Sequence, residues 1–162
     1  MVNASVCDGR IKAAKRNISI TSDIIVGFPG ETEEDLEQTA TLLEEVGYDA
    51  IFAFKYSPRP NTPAITMADS IPEEVKVKRL QILLDRQRET QRLNYERHLG
   101  EVMELMVEGH NRQRNQVIGR STQNKTVNFT TTQPILPATG SYVSVRITQT
   151  FPNSLLGEAL AS

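Results

Sequence analysis

The 162-residue chain has a single cysteine, Cys7, no tryptophan, two histidines and only 6% aromatic residues. One cysteine excludes an intramolecular disulfide. Cys7, His98 and His110 lie in different parts of the chain, so the ligand spacing of a zinc or other metal centre is missing. Neither histidine falls near the strand ends where a ligand site is expected, which leaves a nucleophilic triad without its base. No apolar run approaches the ~20 residues that span a bilayer, and the first residues lack the apolar core of a secretion signal. No membrane association and a cytoplasmic location are therefore expected. Acid is also missing over a long stretch: Gly109 through Gly157 holds no Asp or Glu, yet it contains Arg112, Arg114, Arg120, Lys125 and Arg146. The formal net charge of −2 conceals this one-sided field. With 38% hydrophobic and 23% charged residues the composition is that of a globular protein, with room for one domain or two small ones.

The stretch Ile18–Thr32 organises what is present. Ile18, Ile20 and then Ile24, Ile25 and Val26 form a β-branched run, continuous at its end, as expected of a parallel strand buried on both faces. Gly27-Phe28-Pro29-Gly30 cannot continue it, because Pro29 lacks a donor and the glycines open backbone conformations closed to other residues. Thr32 reads as the N-cap of a helix over residues 33–46, with Glu33, Glu34 and Asp35 at the positive end of its dipole, Leu36, Ala40 and Leu43 along one face, and Gly47 as its C-cap. A second strand follows over Tyr48–Tyr56. A strand, a helix and a strand in this order form a parallel crossover unit, which brings the Gly27–Gly30 turn and the Ser57–Pro63 loop to one sheet edge, where α/β folds bind ligands.

Before this unit, Arg10–Arg16 reads as a short basic helix. After it, Ser70 and Glu73 form a capping box ahead of a long helix from Pro72 to about His98, with Val75, Leu80, Leu83 and Leu84 on one side and a basic outer face. That face is either a solvated link between domains or an RNA contact. Gly100 closes the helix. Short β runs then follow at Val102–Glu108, Val117–Arg120, Thr126–Phe129, Tyr142–Thr148 and Gly157–Leu160, the pattern of a small closed barrel of the kind that binds oligonucleotides. The expected fold class is thus α/β followed by all-β, with a boundary between residues 98 and 99.

The glycine turn lacks the Gly-Lys-Ser/Thr ending of a P-loop and the spacing of a dinucleotide fingerprint, and a βα turn that simply requires glycine stays open as its reading. Asp23, a carboxylate in a strand, requires a partner or a role. Arg59, on a proline-stiffened loop, suits a carboxylate or phosphate, or a surface ion pair. In the acid-free stretch, Arg120, Lys125 and Arg146 are candidates to hold RNA phosphates, Asn124 and Asn128 to bond bases or riboses, and Phe129 or Tyr142 either to stack on bases or to fill the barrel.

Taken in series, DIIVGFPGETEEDL, FAFKYSPRPNTPA, the long helix, GRSTQNKTVNF and FPNSLLGE resemble the end of the radical-SAM domain and the TRAM domain of MiaB-type tRNA methylthiotransferases, over about Arg10–Leu160. The resemblance implies residues 1–98 as the remnant of a partial (βα) radical-SAM barrel and residues 99–162 as a five-stranded, RNA-binding TRAM barrel. It implies an enzyme family that methylthiolates the isopentenylated adenosine beside the tRNA anticodon, using S-adenosylmethionine and two 4Fe-4S clusters. The cluster cysteines and earlier barrel strands are not in this sequence, so this chain is expected to hold no cluster, to be inactive alone and to keep RNA binding, with the anticodon stem-loop as partner. By resemblance Asp23, Ile25, Gly27, Phe28, Pro29 and Gly30 match the motif near S-adenosylmethionine, and Arg59 matches the loop after the last strand. Asn61 departs from the family's usual glycine. A stand-alone RNA-binding module and a piece of a ribosomal-protein methylthiotransferase are the alternatives. The strand without its preceding partner implies an open edge and self-association.

Overall fold

The computed structural model describes residue 13, residues 18–68 and residues 71–160. Cys7, the basic segment expected at Arg10–Arg16 (residue 13 apart) and Ser70 of the expected capping box lie outside the described residues. Two compact units divide the chain, Met1–Gln91 and Arg92–Ser162.

The first unit holds β1 (Thr21–Val26), α1 (Glu33–Val46), β2 (Ala50–Lys55), a 3-10 turn at Pro63–Thr66 and most of α2 (Glu73–Glu96). The strands pair in parallel, with Asp23 opposite Phe52 and Ile25 opposite Phe54. Alternation along each strand divides the side chains between two faces. Ile24, Val26 and Ile51 pack with Leu36, Ala40, Leu43, Val46, Leu80 and Leu83 of the helices. Asp23, Ile25, Phe52 and Phe54 occupy the opposite face and are exposed, both phenylalanines by more than half. This corrects the expectation of a strand over Ile18–Val26 buried on both faces: the strand begins at Thr21, and helices cover one face of the two-stranded sheet.

The caps of α1 explain its bounds. The Thr32 hydroxyl accepts from the Asp35 amide, and the Asp35 carboxylate accepts from the Thr32 amide at 2.8 Å. That backbone bond, helped by the Thr32 hydroxyl, holds the Asp35 carboxyl below the usual carboxylate range. Gly47 adopts φ 67° and donates to the Leu43 carbonyl, ending the helix.

The second unit is a closed barrel of β3 (Val102–Asn111), β4 (Gln116–Ser121), β5 (Thr126–Thr130), β6 (Tyr142–Phe151) and β7 (Ser154–Ala159), in the order β3-β4-β5-β7-β6. The five-stranded barrel expected from the spacing of short runs is therefore present. Four of its seams are antiparallel, and β5 closes on β7 in parallel. Leu105, Val107, Val117, Val127, Phe129, Val145, Ile147 and Leu155 fill the interior, and Tyr95 from the last turn of α2 joins them. Phe129 is thus a core residue, whereas Tyr142 is 66% exposed. β3 runs past its expected end at Glu108, because an irregularity between Val107 and Gly109 lets pairing continue to Asn111 opposite Gln116.

The interior is filled at Gly157. A Cβ built there meets the Arg146 carbonyl oxygen and Val145 Cγ1, each at 2.5 Å, whereas one on Gly109 meets nothing within 4 Å. Gly157→Ala is therefore expected to destabilise the barrel by about 2 kcal/mol, and Gly109→Ala to change it by less than about 0.5 kcal/mol. Urea unfolding of the intact chain followed by circular dichroism checks both, and a neutral Gly157→Ala would contradict this packing.

Candidate functional site

At the carboxyl end of β1 the chain turns through Gly27 and Gly30, at φ 71° and 87°. Glu31 fastens this turn: its Oε2 accepts from the Gly27 amide at 2.7 Å, with a longer contact to the Phe28 amide at 3.4 Å. The other carboxylate oxygen, Oε1, accepts from Arg79 Nη1 at 2.8 Å, and the same nitrogen donates to the Glu31 carbonyl at 3.1 Å. Arg79 Nη2 donates to Glu33 Oε1 at 2.6 Å. Burial of Arg79 opposes its charge, but the hydrogen bonds to Glu33 and Glu31 outweigh it and raise its pKa above the ordinary arginine value. The turn is thus joined to α2 by a nearly buried pair, Arg79 with Glu31, to which the exposed Glu33 adds a second carboxylate.

The remaining contacts tie the turn to the end of β2. Lys76 packs its stem under Gly27, where a Cβ would come within 2.5 Å of Lys76 Cγ. Phe28 meets Tyr56 edge to face at 5.0 Å, Tyr56 donates its amide to Val26, and its hydroxyl donates to the Ala64 carbonyl. Lys55, Tyr56, Ser57, Pro58, Glu73 and Lys76 line a shallow cleft of about 420 Å³, with Lys55 paired to Glu73. Pro29 is buried, and Gly30 is exposed beside open space. Asp23 and Ile25 are exposed on the uncovered sheet face, not in a buried strand as expected. Arg59 is exposed in the loop beyond Tyr56, and among the described residues it shares no hydrogen bond with the glycine turn. Asn61 adopts φ 63°. Asparagine tolerates that left-handed conformation far better than most residues, which suits Asn61 to this turn.

On the barrel, folding redistributes the charge. The acid-free stretch is flanked by Glu104 and Glu108 on β3 and Glu158 on β7, which alternation turns outward beside its cations. Arg120 Nε and Nη2 donate to the two Glu108 carboxylate oxygens at 2.6 and 3.0 Å, and Nη1 donates to Asn124 Oδ1 at 3.2 Å. The hydrogen bond from Arg120 holds the Glu108 carboxyl below its usual range, and the Arg120 pKa is raised in turn. This pairing persists from neutral pH down through the ordinary glutamate range and is lost only as pH falls through the depressed value. Arg146 is exposed, donates to the Gly100 carbonyl at 3.3 Å, and is the register partner of Glu158. Lys125 is only 5% exposed, with its ammonium 4.6 Å from the Tyr95 ring centroid. Asn124, at φ 60°, makes the exposed β4–β5 turn, and Asn128 is half-buried on the outer face of β5. The expectation of an unopposed field at Arg120, Lys125 and Arg146 is corrected accordingly: strand pairing places carboxylates beside two of them and buries the third.

Glu31, Arg79 and Glu108 carry much of this geometry without having been singled out by sequence. Alternation along β3 places Glu108 outward, but no local pattern joins Arg79 to a turn on another element. Arg79→Met is expected to destabilise the first unit by about 3 kcal/mol, since it strands a nearly buried carboxylate. The Gly27 amide should then exchange hydrogen faster. Arg86→Met, which removes a surface pair with Glu37 and Glu44, should cost under about 1 kcal/mol. Native-state hydrogen exchange with urea unfolding checks the contrast, and equal effects would contradict the clasp.

Residues 96–160 match the family described as the TRAM domain, which runs from the last residue of α2 through the closed barrel. The chain is 58% identical over 149 residues to the tRNA-2-methylthio-N(6)-dimethylallyladenosine synthase of Koribacter versatilis, which covers 91% of this chain and 34% of that protein. The protein of the same name from Solibacter usitatus is 51% identical over 155 residues, covering 93% of this chain and 34% of its own length. That from Cronobacter sakazakii is 42% identical over 152 residues, covering 93% and 31%. The chain spans about one third of the length of these relatives. No helix among the described residues is long and apolar enough to cross a membrane. With a TRAM domain at residues 96–160 and high identity to these synthases running through both units, the chain matches about one third of a tRNA methylthiotransferase of the MiaB type.

Proposed function

We propose that this chain serves a tRNA methylthiotransferase as the portion that anchors RNA through the barrel and offers the cofactor-side turn through the first unit. The observation that carries this reading is the agreement between the closed barrel and the matched TRAM domain, on a chain whose relatives are named as tRNA-modifying synthases throughout its length. The substrate in this reading is the isopentenylated adenosine beside the anticodon, and the partner is the anticodon stem-loop in the cytoplasm.

The residues at the turn fit S-adenosylmethionine in a limited way. Asp23 would accept from its hydroxyl or ammonium donors, Ile25 and the exposed Phe28 ring would pack on the adenine, and Gly30 would leave space. The Gly27 amide is already bound to Glu31, so it positions the turn and does not serve the ligand. When bound, this cofactor supplies the methyl group and the radical chemistry of the family. Arg59 would pair with a carboxylate or phosphate at the same edge. The donor set does not fit an iron-sulfur cluster: among the described residues no three His, Cys, Asp or Glu side chains gather, and the sequence has one cysteine. Cluster ligands would belong to the part of the relatives that this chain does not match.

Titration of the intact chain with an anticodon stem-loop should show binding that weakens with salt. Arg120→Ala and Arg146→Ala should each lower the salt slope by about 0.7–0.9. Glu108→Gln should tighten binding by releasing the Arg120 fork, and Lys125→Ala should act through a lower melting temperature. Absence of binding at low salt would overturn the reading. The exposed face with Ile25, Phe52 and Phe54, next to outer strand edges that pair with no other strand among the described residues, should make the isolated chain associate as concentration rises. A strict monomer in light scattering would contradict that association.

A further inference from the structure

The acid-poor surface of the barrel is not where Arg120 sits but at the end where the β3–β4 hairpin and the β5–β6 loop meet. Arg112 and Arg114 occupy the hairpin tip and are exposed. The strand positions that lead into this tip pair as Asn111 with Gln116, His110 with Val117 and Gly109 with Ile118, with no carboxylate among them. Among the described residues neither arginine has an acidic partner. The loop of residues 131–141 contains no acid either.

This loop is held against the hairpin. His110 Nε2 lies 3.0 Å from the Pro137 carbonyl oxygen, the Gly140 amide donates to Val107 at 2.8 Å, and the Val107 amide donates to Ser141 at 2.9 Å. A loop tied at three points nonetheless leaves Ile135 81% exposed and Leu136 51% exposed. Two large aliphatic side chains stand on a loop tied at Pro137 to His110, two residues before Arg112, and the hairpin tip adds two cations and several hydrogen-bonding amides (Asn111, Gln113, Asn115), so this end of the barrel carries both an apolar step and cations. Charge selects the occupant. A polyanion satisfies both arginines, and the apolar step suits the face of a base that has left its stack, whereas a fully paired helix presents only phosphates and riboses.

We infer that this end of the barrel is a second RNA contact, in which Arg112 and Arg114 hold the backbone of a single-stranded segment while Ile135 and Leu136 cover an unstacked base. The inference rests on the RNA-binding reading above but uses none of the residues assigned there. The contact discriminates looped from paired RNA, because only the first can offer a free base face to Ile135 and Leu136.

The test uses the intact chain with two RNA probes, a hairpin with a single-stranded loop and a blunt duplex of the same stem, each titrated over a range of salt. The double variant R112A/R114A should lower the salt slope for the hairpin by about 1.5, as expected for two lost phosphate contacts. The double variant I135S/L136S should weaken hairpin binding about tenfold with the salt slope unchanged, and leave duplex binding as it was. These four side chains are exposed, so unchanged melting curves are expected, and the single variant I135S serves if the double one melts early. If the chain binds the hairpin and both double variants bind it as tightly as the parent, this end is a protein-docking or inert surface, and the inference falls while the RNA-binding reading stands. If I135S/L136S weakens duplex and hairpin equally, the base contact is wrong. If the parent chain binds neither RNA, both readings fall together.

Discussion

Closure of the barrel around β7, which pairs with β5 on one side and β6 on the other, governs the second unit, and the approach of β7 to β6 depends on a missing side chain. Gly157 lies where the backbone of Arg146 and the side chain of Val145 leave no room for a Cβ. With that approach allowed, β7 seats Leu155 in the core between β5 and β6, and each strand gains two partners. No strand of the barrel is left with an open edge, so the barrel offers no strand template for pairing with another molecule. The same strand pairing fixes the order of charges outside. Glu108 is delivered to Arg120, Glu158 to the neighbourhood of Arg146, and among the described residues the hairpin tip keeps its arginines without a carboxylate.

The first unit is organised differently, by charge and not by closure. Its two-stranded sheet covers one face with helices and leaves the other uncovered, so hydrophobic packing alone cannot fix the glycine turn at the end of β1. Glu31 does so by spending one carboxylate oxygen on the turn's backbone and the other on Arg79. A carboxylate placed so near an amide it satisfies, and so near a guanidinium it neutralises, lowers the number of conformations open to Gly27 and Gly30. In the proposed role this is preorganisation: the turn faces its ligand already shaped, and the ordering cost is met on folding instead of on binding.

Period and punctuation made most of the fold legible. Thr32, the acidic first turn and Gly47 define α1 to the residue, and the spacing of five short runs anticipates the barrel. The misreadings share a cause. The run Ile24-Ile25-Val26 looks buried throughout, yet a pleated strand must turn Ile25 away from its neighbours, and what covers that face is not encoded nearby. The acid-free window from Gly109 to Gly157 looks unopposed because sequence distance hides Glu108, only one residue outside it, which an antiparallel partner brings onto Arg120. Lys125 looks like a surface cation, but it follows the tight turn at Asn124 and points to Tyr95. Long-range pairing decided each case, and local composition does not carry that information. Asp23, Ile25, Gly27, Phe28, Pro29, Gly30 and Arg59 rested on resemblance; the parallel crossover brings Phe28 of the glycine turn onto Tyr56 at the end of β2, while Asp23 and Ile25 lie on the exposed sheet face.

The central claim is that the barrel unit meets RNA while the first unit keeps its turn for a different ligand. Backbone amide shifts of the intact, isotope-labelled chain, recorded while an anticodon stem-loop is added, test this most directly. The account expects perturbations at the outer face and hairpin end of the barrel, around Arg112, Arg114, Arg120, Tyr142 and Arg146, with Gly27 to Glu31 unmoved. Perturbations centred on β1, β2 and the glycine turn, with the barrel silent, would contradict it.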